Sequence, residues 1–205
     1  MNKNVLNFKL ILIGDTSVGK TSLMYKYTKN EFPEQFQSTI GIDTIFKNIT
    51  YKGFKINVRI YDTAGQEKYR SIIKNYFKGS NGVFVFFDLT NKNSFDILKS
   101  WIKDIDENID NKDYKFLILG NKNDLINIHQ VSDNDIAQFE KNNGFKIIKT
   151  SARTGDGVKE AFEQMFDQIM DNKSEEIIYK EFCSNYDKKI LLKNNKVKSS
   201  NAVCC

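Results

Sequence analysis

Residues Phe8–Thr21 read "FKLILIGDTSVGKT". A short apolar run suited to a buried strand leads into a glycine loop. The loop leads into "GKTSLMYKYTK", which reads as a helix. Gly14–Thr21 fits G-x-x-x-x-G-K-[ST]. At such a junction the loop's backbone N–H groups can turn inward on phosphate oxygens, and the helix N-terminus adds a favourable dipole. Gly19 lets the backbone approach closely, Lys20 can reach the β and γ phosphates, and the Thr21 hydroxyl can bind Mg²⁺.

Outward from this loop, apolar runs and helical patterns alternate. "TIFKNITYK" and "INVRIYD" predict two strands joined by a tight turn at "KGFK", a hairpin. "GVFVFFDL" and "KFLILGN" are apolar throughout and bounded by Gly, Asp or Asn, which fits central parallel strands. "NSFDILKSWIKDIDENI" has one helical stripe, with Asn93 or Ser94 as its cap. "SDNDIAQFEKNNG" predicts a helix ending on Gly144, "FKIIKTS" a last strand, and "GVKEAFEQMFDQIM" a helix with Val158, Ala161, Phe162, Met165, Phe166 and Ile169 on one face. Repeated strand–helix units of this length predict an α/β domain with a mainly parallel sheet and helices on both faces.

Two further motifs complete the chemistry. "DTAGQE" follows the second hairpin strand and puts Asp62 where a carboxylate can hold Mg²⁺, directly or through water. "NKND" (Asn121–Asp124) follows the strand "KFLILG". A carboxylate accepts hydrogen bonds and cannot donate them. Guanine offers two adjacent donors, N1–H and the N2 amino group, that match one carboxylate, whereas adenine has no such pair.

The order glycine loop, DTAGQ, NKND, "TSAR" resembles the Ras superfamily of small GTPases. "STIGID", "DTAGQEKYRSI" and the final Cys-Cys resemble the Rab family within it. The resemblance covers about residues 8 to 170 and the last two residues. It implies a three-layer P-loop GTPase fold: a six-stranded, mostly parallel sheet with one antiparallel edge strand and five flanking helices. It also implies GTP or GDP with Mg²⁺ as ligands. Ser17, Val18, Gly19, Lys20, Thr21 and Ser22 would wrap the phosphates, and Phe32 would sit against the guanine. Thr39 would reach Mg²⁺ and the γ-phosphate, beside Thr21 and Asp62 as metal-side residues. Gly65 would donate its N–H to the γ-phosphate, and Gln66 would act catalytically by orienting water. Asn121, Lys122 and Asp124 would hold the base, helped by Ser151, Ala152 and Arg153, where the family has S-A-K rather than S-A-R. Three positions that usually carry a partner-facing aromatic cluster of Phe, Trp and Tyr are here Thr44, Tyr61 and Tyr76.

The tail carries its own pattern. The net charge is +5, and residues 188–205 alone hold five lysines and no acid, so the body is neutral. A neutral body with a basic tether does not fit a nucleic-acid binder, which needs a basic face on the fold. The reading is a GTPase domain over 1–173 and a flexible basic tail over 174–205. Ile178, Phe182, Tyr186 and Ile190 form a short stripe that fits either a helix extension or a partner segment. No signal peptide and no bilayer-length apolar run are evident, so Cys183, Cys204 and Cys205 are expected to be thiols in a reducing compartment. A C-a-a-X signal would need cysteine where Ala202 stands. The resemblance instead implies geranylgeranyl groups on Cys204 and Cys205, attachment to the cytoplasmic face of intracellular membranes with a cytosolic pool, and a role in vesicle traffic. It implies a monomer that meets an exchange factor, a GTPase-activating protein, a GDP-dissociation inhibitor, the prenylation machinery and GTP-state effectors. No arginine in cis stands out as catalytic; one from a partner would add ~10³–10⁵-fold. Two rivals remain. Gln66 argues against a GTP-binding scaffold without turnover, and a phosphate-loop kinase or ATPase leaves NKND, DTAGQE and the terminal cysteines unexplained. His129, the single histidine, reads as a surface loop residue rather than a triad member.

Overall fold

The structure is a computed structural model and describes residues 5–33, 39–65, 73–109 and 113–171. Gln66, Cys183, Cys204, Cys205, the tail lysines and the Ile178–Ile190 stripe lie outside the described residues. Six strands form one sheet: β1 (Val5–Gly14), β2 (Ile42–Tyr51), β3 (Phe54–Thr63), β4 (Gly82–Asp88), β5 (Lys115–Asn121) and β6 (Ile147–Lys149). Their order is β2-β3-β1-β4-β5-β6. β1 pairs in parallel with β3 and β4, β4 with β5, and β5 with β6, while β2 runs antiparallel to β3 at one edge. The helices are α1 (Lys20–Lys29), α2 (Lys92–Asp96), α3 (Leu98–Asn108), α4 (Asp133–Asn143) and α5, described over 158–171. No helix among the described residues is long and apolar enough to cross a membrane.

The three layers follow from the alternation of side chains along the strands. β4, "GVFVFFD", is buried along its whole length because helices cover both of its faces. Val83, Val85 and Phe87 face a core shared with Leu98, Trp101, Ile102 and Ile105 of α3 and Ile136 and Phe139 of α4. Phe84 faces the opposite layer and packs on Phe162 of α5 at 4.9 Å between ring centroids. Tyr27 of α1 stacks on the same Phe162 at 3.6 Å, so the helix that begins at the phosphate loop is pinned to α5. The compact unit Met1–Phe166 holds the whole sheet. Of the unit Asp167–Cys205, the described residues 167–171 are helical.

Two local expectations need correction. The single helix expected over "NSFDILKSWIKDIDENI" is divided at Ile97 into α2 and α3, and its cap is Asn91 rather than Asn93 or Ser94. Asn91 accepts from Asn93 N–H through its side chain, whereas Ser94 is turned inward. The Ser94 hydroxyl donates to the Asn91 carbonyl at 2.7 Å and accepts from Asp88 N–H at 2.9 Å. The hairpin turn is two residues rather than four, since Tyr51 and Phe54 already pair. Lys52 and Gly53 have φ of 46° and 82°, the left-handed pair that matches strand twist in two-residue hairpins. The capping of α4 is as its sequence suggests: Ser132 and Asp135 form a reciprocal capping box, and Gly144 closes the helix at φ 73°.

Candidate functional site

The chemistry-bearing residues collect at the C-terminal rim of the parallel strands, where α/β sheets place their ligands. The phosphate loop follows β1, Asp62 lies at the end of β3 with Gly65 just beyond it, Asn121 ends β5, and Ser151 follows β6. Between them lies a cavity of about 1320 Å³. Its walls include Ser17, Gly19, Lys20, Thr21, Ser22, Phe32, Thr39, Asp62, Gly65, Asn121, Lys122, Asp124, Ala152 and Arg153. Val18 and Ser151 stand behind the wall: both are buried and act through neighbours, Val18 through its carbonyl and Ser151 through its hydroxyl.

The phosphate end is built around α1. No side chain caps the N-terminus of that helix, and Gly19 precedes it at φ 94°. Lys20 is 5 % exposed, and its ammonium donates to the carbonyls of Gly14 at 3.0 Å and Asp15 at 2.7 Å. Burial pulls it down to about 8, against the carboxylates of Asp62 and Asp15. Gly65 touches the loop from the other side. A Cβ there would lie 2.4 Å from backbone atoms of Asp15 and Thr16.

Beside Lys20, three oxygen-bearing side chains meet. Thr21 donates its hydroxyl to Asp62 Oδ2 at 2.6 Å. Thr39 Oγ1 stands 2.8 Å from Thr21 Oγ1 and 3.3 Å from the same carboxylate oxygen. Asp62 is fully buried, and its Oδ1 has no hydrogen-bond partner among the described residues. Burial pushes its carboxyl above the ordinary range, against the hydrogen bonds from Thr21 and Thr39 and the charge of Lys20. Two hydroxyls and a carboxylate with one unmatched oxygen form a hard, oxygen-only donor set. That set suits Mg²⁺, which completes its shell with phosphate oxygens and water.

The end of the cavity lined by NKND, where the sequence places the base, is a clamp between two loops. Asn121 is buried; its Nδ2 donates to the Val18 carbonyl at 2.9 Å and its Oδ1 accepts from Ala152 N–H at 3.1 Å. Asn121 thus fastens the phosphate loop to the "TSAR" segment. Asp124 Oδ1 accepts from Ser151 Oγ at 2.6 Å, which orients the carboxylate in the cavity wall. Lys122 has φ 66°, and its ammonium lies 2.6 Å from Asp88 Oδ2. No motif marks Asp88. The signal that points to it is positional: a carboxylate at the end of an apolar central strand, on the same rim as Asp62. Arg153 is exposed at the cavity edge. His129 is half-buried, with Nε2 3.4 Å from the Lys122 carbonyl, and so forms part of the loop after NKND rather than of a nucleophile site.

The three positions that the resemblance marks as partner-facing adjoin one another. Thr44 lies opposite Tyr61 in the β2–β3 register, and Tyr61 and Tyr76 have ring centroids 5.5 Å apart. Two residues along β2, Phe46 is 66 % exposed with the Arg59 guanidinium 4.7 Å from its ring centroid.

A sheet of this order with a phosphate-loop motif, an oxygen-only donor set beside it and the NKND carboxylate in the cavity wall is the arrangement expected of a guanine-nucleotide-binding α/β protein. A profile described as "Ras family" matches residues 9–171. The chain is 42 % identical over 163 residues to "Ras-related protein Rab-8B" of Homo sapiens, covering 80 % of this chain and 78 % of that one. It is 38 % identical over 162 residues to "GTP-binding protein ypt3" of Schizosaccharomyces pombe, covering 79 % and 75 %. The chain belongs to the Ras family as a small GTPase of the Rab type. It binds GTP and GDP with Mg²⁺ and hydrolyses GTP to GDP and phosphate.

Proposed function

We propose that the protein is a two-state switch, active with GTP and inactive with GDP. In this reading it hydrolyses GTP slowly alone and regulates vesicle and membrane traffic from a lipid-anchored position. The observation that carries this reading is the meeting of Thr21, Thr39 and Asp62, because it joins the phosphate loop, the segment before β2 and the end of β3 at one point. With GTP bound, Thr39 and the Gly65 N–H would both reach the γ-phosphate, and its loss would release both segments. The residues on the metal side are Thr21, Thr39 and Asp62; Mg²⁺ there supplies charge neutralisation at the phosphates. The base is held by Asn121, Lys122 and Asp124, with Ser151, Ala152 and Arg153 behind and beside them, and Phe32 lies at the cavity edge. Gln66 orients the attacking water.

The test is a single-turnover assay on protein loaded with GTP, the bound nucleotide being read by chromatography after denaturation. Gln66→Leu is expected to keep GTP binding and slow hydrolysis by roughly tenfold to a hundredfold. Equal GTP-to-GDP ratios in parent and variant would remove Gln66 from the water-positioning role. An unchanged GTP content in the parent would favour the scaffold without turnover.

Membrane attachment is assigned to lipid groups on Cys204 and Cys205, aided by the lysines from Lys188 to Lys198. One chain gives marginal attachment, stable anchoring takes two signals, and each lysine near an anionic surface adds roughly 1 kcal/mol. The partners of this reading are an exchange factor, a GTPase-activating protein, a GDP-dissociation inhibitor, the prenylation machinery and effectors. The monomer resides on the cytoplasmic face of intracellular membranes and in a cytosolic pool. Replacing Cys204 and Cys205 together by Ser is expected to leave nucleotide binding unchanged and move the protein from the membrane pellet to the supernatant of lysed cells. A double variant that still sediments would sink the lipid assignment and direct attention to Ile178, Phe182, Tyr186 and Ile190.

A further inference from the structure

Asp88 ends β4 directly across the sheet from Asn121. It is a carboxylate only 5 % exposed, and both of its oxygens are engaged. Oδ1 accepts from the N–H of Thr90 at 2.8 Å and from its hydroxyl at 2.7 Å. Oδ2 lies 2.6 Å from Lys122 Nζ. The Asp88 backbone is held as well, through the hydrogen bond from its N–H to Ser94 Oγ. The carboxylate is therefore locked before Lys122 meets it. Lys122 needs such a lock. Its backbone sits at φ 66°, a region that costs a residue with a Cβ. Its ammonium rides on a four-carbon stem with many rotamers, and its side chain is 32 % exposed at the cavity wall.

We propose that Asp88 is a positioning residue for nucleotide retention: its buried carboxylate fixes the Lys122 side chain in the wall of the nucleotide cavity and so slows release of guanine nucleotide. The inference rests on the assignment of Lys122 to the base site. It reaches beyond the NKND motif to the end of the neighbouring strand β4, which lies outside the motif's sequence. A carboxamide at position 88 keeps the shape and the Thr90 contacts but removes the charge that holds the ammonium.

The test is the rate at which a fluorescent GDP analogue leaves the Mg²⁺-loaded full-length protein when chased with unlabelled GDP. Four proteins are compared: parent, Asp88→Asn, Lys122→Met, and the double variant. Asp88→Asn is expected to release the analogue about tenfold faster, a value that allows for the partial exposure of Lys122. Lys122→Met should do at least as much, and the double variant should release no faster than Lys122→Met alone, since residues acting through one contact are not additive. If Asp88→Asn does not fold, Thr90→Val removes the hydroxyl that orients Oδ1. A several-fold faster release that vanishes in the Lys122→Met background then carries the same conclusion. Release at the parent rate from Asp88→Asn, with Lys122→Met faster, overturns the proposal and leaves the base-site assignment standing. Additive effects in the double variant overturn it too, because a purely structural role would act whatever residue stands at 122. An unchanged rate in Lys122→Met removes the base-site assignment and the proposal together.

Discussion

Asp124→Asn is expected to bind GTP at least about tenfold more weakly than the parent and to gain affinity for xanthosine triphosphate. The Ser151 hydroxyl, 2.6 Å from Asp124 Oδ1, is a donor in this contact. In the variant it would keep the amide oxygen and leave the amide N–H₂ turned toward the cavity. A donor would then face the N1–H and amino group of guanine, and each unmade buried bond costs on the order of 1–3 kcal/mol. Xanthine carries a carbonyl where guanine has its amino group and so recovers a partner. Competition of GTP, xanthosine triphosphate and ATP against a fluorescent GDP analogue reads all three affinities. A variant that holds GTP as tightly as the parent would take Asp124 out of base recognition.

Gly19→Ala is expected to weaken GDP and GTP binding by about a hundredfold or more and to lower the thermal midpoint. Two independent effects add. Gly19 sits at φ 94°, where a residue with a Cβ is strained by about 1–3 kcal/mol. The new methyl would also fall 2.2 Å from Asn121 Nδ2, so the amide must leave its bond to the Val18 carbonyl. That bond ties the phosphate end of the cavity to the base end, and its loss loosens both. Gly53 is the control. Its φ of 82° is of the same kind, but a Cβ there meets nothing within 4 Å, and it lies in the hairpin turn. Gly53→Ala should therefore cost stability without touching nucleotide affinity, and equal affinity losses in the two variants would refute the Asn121 argument.

What could be read from the chain follows from where each feature's cause lies. The phosphate loop, Asp62, Asn121 and Asp124 carry local signatures at strand ends, and the sheet brings them to one rim. The full burial of β4 was legible because "GVFVFFD" has no polar face to expose. The division at Ile97 was not legible, because the apolar stripe of Phe95, Leu98, Trp101 and Ile102 runs through it without interruption. The cap at Asn91 was not legible either, and there the cause is tertiary: Ser94 is drawn inward to the end of β4, and Asn91 is left to cap the helix. The same holds for Asp88. Thr90, two residues on, holds one of its oxygens, but the ammonium partner of the other lies in the loop after the neighbouring strand. Asn121 shows a third case: its place in NKND suggests base contact, and its hydrogen bonds add the fastening of two loops, which the motif does not announce.

Asp62 links the life of the chain to its ligand. A buried carboxylate with one oxygen unmatched among the described residues costs the folded state, and Mg²⁺ at the proposed position would relieve it. Whatever binds the native form and not the unfolded one stabilises it. Each tenfold rise in free nucleotide beyond the dissociation constant adds about 1.4 kcal/mol. The population open to proteolysis then shrinks by the same factor. On this reading a molecule that has lost its nucleotide is the one most open to proteolysis, and the supply of guanine nucleotide would help set how long each copy survives.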